Sequence, residues 1–161
     1  MKAKEDLIGV IIGRFQPFHL GHAWIIKESL KRFEKIIILI GSSNITDENN
    51  PWDLKKRTEM LEQFLESEKI SDKVIKIGHI IDVPDDKEWL DMAISKIGEN
   101  NFTIIGDNEW VNGIFEDAGY TVWRPGFFHR DKYEGSKIRK LYNESLDWKS
   151  RIPNYVAKII E

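Results

Sequence analysis

The sequence predicts an α/β fold: a doubly wound parallel sheet of five strands, with further helices at the C-terminal end. Three observations predict it. Apolar, β-branched runs alternate with helical patterns along the chain, the order that builds βαβ units and a parallel sheet covered on both faces. The 161 residues suffice for one domain (1–161) with a real core and are short for two. The segments that interrupt the pattern with His, Arg, Asn and Asp each follow a strand, the edge where open α/β sheets bind ligands.

The elements follow in order. "LIGVII" (7–12) is a buried strand and "AWIIKESLKRF" (23–33) an amphipathic helix. "KIIILIG" (35–41) is the second strand and ends in the polar loop "GSSNITDENNP". The helix "DLKKRTEMLEQFLES" (53–67) gathers Leu54, Met60, Leu61, Phe64 and Leu65 on one side. A third strand, "KVIKIGHII" (73–81), leads through "DVPDD" to a helix at about 86–98. "FTIIG" (102–106), a helix near 109–117 and "YTVW" (120–123) complete the sheet. After the loop "RPGFFHRDKYEG" the chain forms two helices broken near Pro153.

Composition narrows the function. A hydrophobic content of 41% with 32% charged residues describes a globular protein. The net charge of −3 argues against nucleic acid as a partner, since broad binding needs a basic footprint. There is no cysteine, hence no disulfide scaffold and no thiolate metal site. No apolar stretch approaches the length of a membrane span, so the expectation is a cytoplasmic protein without a membrane partner.

The segment "GRFQPFHLGH" (13–22) carries two of the four histidines, three positions apart between a strand and a helix. Zinc would want a third ligand at recognisable spacing, and none is nearby. An ordinary turn would leave Arg14, Gln16, His19 and His22 to coincidence. A phosphate site accounts for them together. Gly13 lets the backbone approach a ligand, Gly21 opens the helix without a side chain, and the helix start offers N–H groups and a positive dipole end. His19 and His22 add neutral or cationic donors and Arg14 a fixed charge.

This segment resembles the H-x-G-H signature of the nucleotidylyltransferase superfamily, in the form used by archaeal nicotinamide-nucleotide (NMN) adenylyltransferases. "NPWDLKKRTEML", "FFHRDKYEGSKIRKLY" and "DWKSRIP" are similar to further family segments, so the resemblance spans nearly the whole chain. It departs from the pattern at Glu134 and Ser136 (Ser and Thr in the family), at Asn49 and Asn50 where an Arg is usual, at Asp86, and in "GDNEW", which is one residue longer.

The resemblance implies a Rossmann-like sheet and an adenylyltransferase joining NMN to ATP, with Mg2+ accompanying the ATP. It implies catalytic roles for Arg14, His19, His22 and Arg139. It implies ATP binding by these and by Gly13, Phe15, Gly21, Gly106, Asn108 and Ser136, with Asp107 beside them. NMN would meet Asp82 and the ring of Trp89, and no residue is assigned as a protein metal ligand. Read without the resemblance, Trp89 on an amphipathic helix is more often a core residue, Asp82 could be a turn or cap, and Arg57 is equally a solvated helix residue. His79 reads as structural, and His129 and Arg130 lie in a loop facing the site or an oligomer contact. Archaeal relatives form homo-oligomers, commonly hexamers, which "GFFHR" could serve. The alternatives are a sister enzyme acting on pantetheine phosphate, glycerol phosphate or a flavin precursor, and a catalytically silent nucleotide-binding regulator.

Overall fold

The run Lys35–Ile40 explains the layering. Ile36 through Ile40 are all fully buried, which a strand achieves only when both faces of its sheet are covered. In the computed structural model, which describes residues 8–161, this run is β2, between β1 (Ile8–Gly13) and β3 (Val74–His79). Leu7, the first residue of the expected opening strand, lies outside the described residues. With β4 (Thr103–Ile105) and β5 (Thr121–Trp123) the sheet is parallel throughout, in the order β3-β2-β1-β4-β5.

Alternate residues of β2 feed two separate cores, as a period of two requires. Ile36, Ile38 and Ile40 pack with α1 (Leu20–Arg32), α2 (Leu54–Ser67), α5 (Gly135–Asn143) and α6 (Asn154–Ile160), through residues such as Ile26, Phe64, Ile138 and Val156. Ile37 and Leu39 pack on the other face with α3 (Asp86–Ile97) and α4 (Glu109–Asp117), through Trp89, Ala93, Val111 and Phe115. The order reverses at β1, so the crevice between the carboxyl ends of β1 and β4 is the topological switch point.

Three expectations change. The first helix begins at Leu20 rather than 23, because His19 caps it. The sheet is not fully covered to its edge: β3 is an edge strand, and its residues are half-buried or exposed. The C-terminal helices do not part at Pro153. α5 ends ten residues earlier, at Asn143, with Glu144 as its C-cap and Ser145 next in the left-handed region with φ 55°. A short 3-10 turn (Lys149–Arg151) follows, and Pro153 instead opens α6, where a missing N–H costs nothing.

Candidate active site

The loop Arg14–His19 joins β1 to α1 and is held from several sides. The side-chain amide of Gln16 pairs with the backbone of Trp52, donating to its carbonyl at 2.6 Å and accepting its N–H at 3.1 Å. The Gln16–Pro17 peptide is cis. The backbone carbonyl of Gln16 accepts from Arg139 Nη1 at 2.7 Å. Phe15 takes a left-handed conformation (φ 55°) with its ring buried beside Phe18 and His22. That conformation costs on the order of 1–3 kcal/mol in a non-glycine residue and persists because the ring is locked. Only the backbone of Phe15 is left to face a ligand.

The two histidines cap the helix they introduce. His19 is the N-cap of α1, and its Nδ1 accepts the N–H of Gly21 at 3.1 Å. The Nδ1 of His22 reaches back to the N–H of His19, also at 3.1 Å, completing a reciprocal capping box. The rings stack with centroids 3.7 Å apart. Gly21 has to be glycine: a Cβ there would lie 2.8 Å from the His19 ring. This narrows the expectation of open N–H groups at the start of α1, since ring nitrogens accept those of His19 and Gly21. Each ring then carries its proton on Nε2, so what the helix start presents is a pair of imidazole N–H donors.

Both rings are neutral. Burial, and then the charge of Arg139, lower the pKa of His19 to about 3. Burial, and then His19 itself, hold His22 well below the usual histidine value. The cationic alternative for these side chains is therefore set aside.

Both histidines line a cavity of about 230 Å³ with Gly21, Trp24, Asp107, Gly126, Phe128, Tyr133 and Gly135 among its walls. Trp24 and Phe128 stack at 5.5 Å and 11°. Arg130 and Glu134 stand at the same cavity, paired at 3.7 Å, and Lys137 joins Glu134 at 3.4 Å. A larger shallow depression of about 660 Å³ lies between Tyr142 and Glu161, and none of the expected site residues lines it.

The second expected anion site is the start of α5. Glu134 is its N-cap residue and makes no side-chain capping bond. Gly135 lets this turn come close, since a Cβ would sit 2.9 Å from Arg139 Nη1 and 3.2 Å from the Gln16 carbonyl. Ser136 is exposed and shares a depression with Arg139 and Asn49. Burial, and then the nearby positive charge of Arg14, lower the pKa of Arg139. Arg14 is exposed and donates to Asn50 Oδ1 at 3.4 Å. Two guanidinium groups that repel each other at the mouth of a cleft are stabilised by an anion between them.

Arg57 is a residue whose role the sequence did not disclose. It is fully buried rather than solvated, and its guanidinium donates to the carbonyls of Arg14, Gly41, Ser42 and Asp53 at 3.0–3.3 Å. It thereby ties together the chain ends beyond β1 and β2 from the first turn of α2. Gln16 was legible only as part of the motif. Tyr133 and Phe128 carried no signal, because the path of the 124–134 loop brings them to the cavity, where Phe128 meets Trp24 of α1.

Other expected positions behave differently. Asn108 uses its side-chain oxygen to cap α4, accepting from Trp110 and Val111 at 3.0 and 3.3 Å, and the cavity wall there is Asp107. Asp107 in turn accepts the N–H of Gly126 at 3.0 Å, and Gly106 bonds the carbonyl of Trp123. Gly13 ends β1 facing the Phe15 ring. Asp82 is exposed at the end of β3, accepting from Ser42 Oγ at 2.9 Å, while its N–H donates to Asn44. Trp89 is buried, with no free ring face to offer. Among the described residues no group of three or more His, Asp or Glu could hold a metal ion. The donors that converge here, two imidazole N–H groups and two guanidinium groups, suit an anion.

A parallel α/β sheet whose switch-point crevice holds a capping dihistidine and converging guanidinium groups defines a nucleotidyl-transferring class of protein. The chain matches the cytidylyltransferase-like family over residues 10–140, and it belongs to that family. It is 35% identical over 153 residues to a nicotinamide-nucleotide adenylyltransferase of Saccharolobus solfataricus, covering 94% of this chain and 88% of that one. A crystal structure of a bifunctional NMN adenylyltransferase/ADP ribose pyrophosphatase from Francisella tularensis superposes with a TM-score of 0.81 at 26% identity. The match covers 96% of this chain and 50% of that one, so the chain spans about half the length of the bifunctional protein. The Francisella tularensis protein complexed with AMP and a manganese ion gives a TM-score of 0.78 at 26% identity, covering 96% of this chain and 49% of that one. No helix among the described residues is long and apolar enough to cross a membrane.

Proposed function

We propose that the protein is an adenylyltransferase that joins NMN to ATP, giving NAD and pyrophosphate. An oxygen of the NMN phosphate forms a bond to the α-phosphorus of ATP, and the bond from that phosphorus to the β-bridging oxygen breaks. The attacking phosphate is already anionic, so no proton has to be removed. The catalytic demand is alignment of like-charged groups and stabilisation of the charge that builds on the transferred phosphoryl group. Neutral histidines meet it as N–H donors.

The observation that carries this reading is the capping box. With both Nδ1 atoms accepting main-chain N–H groups, His19 and His22 are fixed as Nε2–H donors and unsuited to act as nucleophile or base. In this assignment His22 and His19 flank the transferred phosphoryl group, and Arg139, Ser136 and the uncapped start of α5 take the β- and γ-phosphates. Arg14 lies across the same anion. Gly13, Phe15 and Gly21 would contact ATP through backbone, with Gly106, Asp107 and Asn108 on the adenosine side. Asp82 and the aromatic layer of Trp89 border the second substrate. The ion that travels with ATP would be Mg2+, and it would neutralise phosphate charge.

The experiment is a substrate panel. Purified protein, ATP and Mg2+ are combined separately with NMN, nicotinic acid mononucleotide, pantetheine phosphate, glycerol phosphate and a flavin mononucleotide, and pyrophosphate release is followed. NMN is expected to react fastest, with NAD as the product. Reaction of another acceptor in place of NMN overturns the substrate, and no release with any acceptor overturns the enzyme. A cytoplasmic homo-oligomer, up to a hexamer, is part of the same proposal, and light scattering of the purified chain tests the assembly.

A further inference from the structure

The start of α5 borders two hollows. Glu134 and Gly135 stand in the wall of the histidine cavity, and Ser136, the next residue, lines a separate depression of about 400 Å³. Arg139, Lys140, Asn143 and Glu144 of the same helix and its cap continue that depression, and Asn49 from the β2–α2 loop completes it. Residues 136, 139, 140 and 143 follow the spacing that puts side chains on one helix face. Arg139 lines the depression while its Nη1 bonds the Gln16 carbonyl in the histidine loop, so its guanidinium joins the two hollows.

The donors in this depression are uncommitted. Among the described residues the Lys140 ammonium has neither a hydrogen bond nor an ion pair, and the side-chain amides of Asn49 and Asn143 make no hydrogen bond. Lys137, on the same helix, is by contrast tied to Glu134 at 3.4 Å and to the Arg130 carbonyl at 3.3 Å. The backbone N–H of Asn49 donates to Asp47 Oδ1 at 2.9 Å, which places the residue and leaves its side chain free. Asp47 offsets part of the positive charge at Arg139, but its Oδ1 is already taken by the N–H groups of Asn49 and Asn50. An unpaired ammonium beside a half-buried guanidinium that Arg14 repels is a charge set that a polyanion completes. Glu144 and the carbonyl end of α5 are negative and close the far end, so an anion sits towards Ser136.

We propose that this depression is the exit subsite for pyrophosphate, entered by the terminal phosphate of ATP, and that Lys140 is a further phosphate-binding residue there. This rests on the reading of the protein as an adenylyltransferase. When the bond from the α-phosphorus to the bridging oxygen breaks, its electron pair stays with pyrophosphate, and the charge on the leaving group rises. An exposed ammonium beside that group holds it by charge and, being solvated, gives it up to water. Pyrophosphate then leaves over the outer face of α5, without crossing the cavity that still holds the dinucleotide.

The test is titration calorimetry of inorganic pyrophosphate, ATP and AMP into the wild-type protein, Lys140→Ala, Lys140→Arg and Lys137→Ala, with product inhibition by pyrophosphate measured alongside. Lys140→Ala is expected to weaken pyrophosphate and ATP about 5- to 10-fold, the order of one charge-assisted contact. AMP lacks the terminal phosphates, and its affinity should stay within about twofold. The inhibition constant for pyrophosphate should rise by the same factor as its Kd. Lys140→Arg keeps the charge and should bind pyrophosphate within about twofold of the wild type, and so should Lys137→Ala, whose lost charge is committed to Glu134. Unchanged pyrophosphate affinity in Lys140→Ala overturns the proposal. So does an equal loss for AMP, or an equal loss in Lys137→Ala, either of which would mean a general field and no subsite. Wild-type protein that binds pyrophosphate through Lys140 yet makes no NAD from NMN and ATP overturns the parent reading instead, so the two failures are distinct.

Discussion

The ring of His22 accepts the main-chain N–H of His19 at 3.1 Å while the ring of His19 accepts that of Gly21 at the same distance. A helix start and a pair of oriented donors are thus one structure. The geometry fixes the tautomer, and burial fixes the charge.

The first prediction is a pH dependence of stability. The folded-state pKa of His19 is about 3 and that of His22 lies well below 6.5, whereas in the unfolded chain both are ordinary. Between those values the unfolded state binds more protons, so stability is fully present above pH 6.5 and is lost as pH falls below it. At pH 5 the loss from His19 is about 2 kcal/mol, and His22 adds to it in the same direction. Thermal melts at pH 7.5 and 5.0 should differ by several degrees, and His19→Asn should flatten the difference. Equal Tm values at the two pH values would contradict buried neutral rings.

Replacing His22 separates its two roles. His22→Ala removes one half of the capping box, worth about 1 kcal/mol, and one donor to developing charge, worth about 3 kcal/mol in the transition state. The variant should fold with a modestly lower Tm and lose at least ~10²-fold in kcat. Near-normal turnover in a folded variant would falsify the assignment of the ring to the phosphoryl group.

Arg139 bonds the Gln16 carbonyl, so it joins α5 to the loop after β1. Arg139→Ala should weaken ATP binding by ten-fold or more, the order expected for one charge-assisted contact. NMN binding should change little. Titration calorimetry that finds normal ATP affinity and lost NMN affinity would exchange the two subsites.

Arg57 predicts a stability effect. Its side chain satisfies four backbone carbonyls from a fully buried position. Arg57→Met removes those bonds and leaves carbonyls without donors, at about 3 kcal/mol or more. Tm should fall by roughly 10 °C. A change below about 2 °C would mean that water replaces the guanidinium without cost.

The sheet was legible because its determinants are local in sequence. "KIIILIG" can be read as a strand buried on both faces, and the alternation with helical patterns sets the parallel order without knowledge of any contact. The H-x-G-H segment was legible for the same reason: strand, turn and helix start are contiguous, so spacing alone places both rings. The sequence by itself therefore determined the α/β sheet and the placing of residues 13–22 between the first strand and the first helix, at the carboxyl edge of that sheet. Contacts between distant segments decided the rest. Arg57 looks like one more cation on a charged helix, and only the convergence of four carbonyl ends buries it. Trp89 looks like a free ring until Trp110, twenty-one residues later, closes over it. The charge state of the histidines is also tertiary, because desolvation depends on what packs around a ring and no spacing along the chain encodes it.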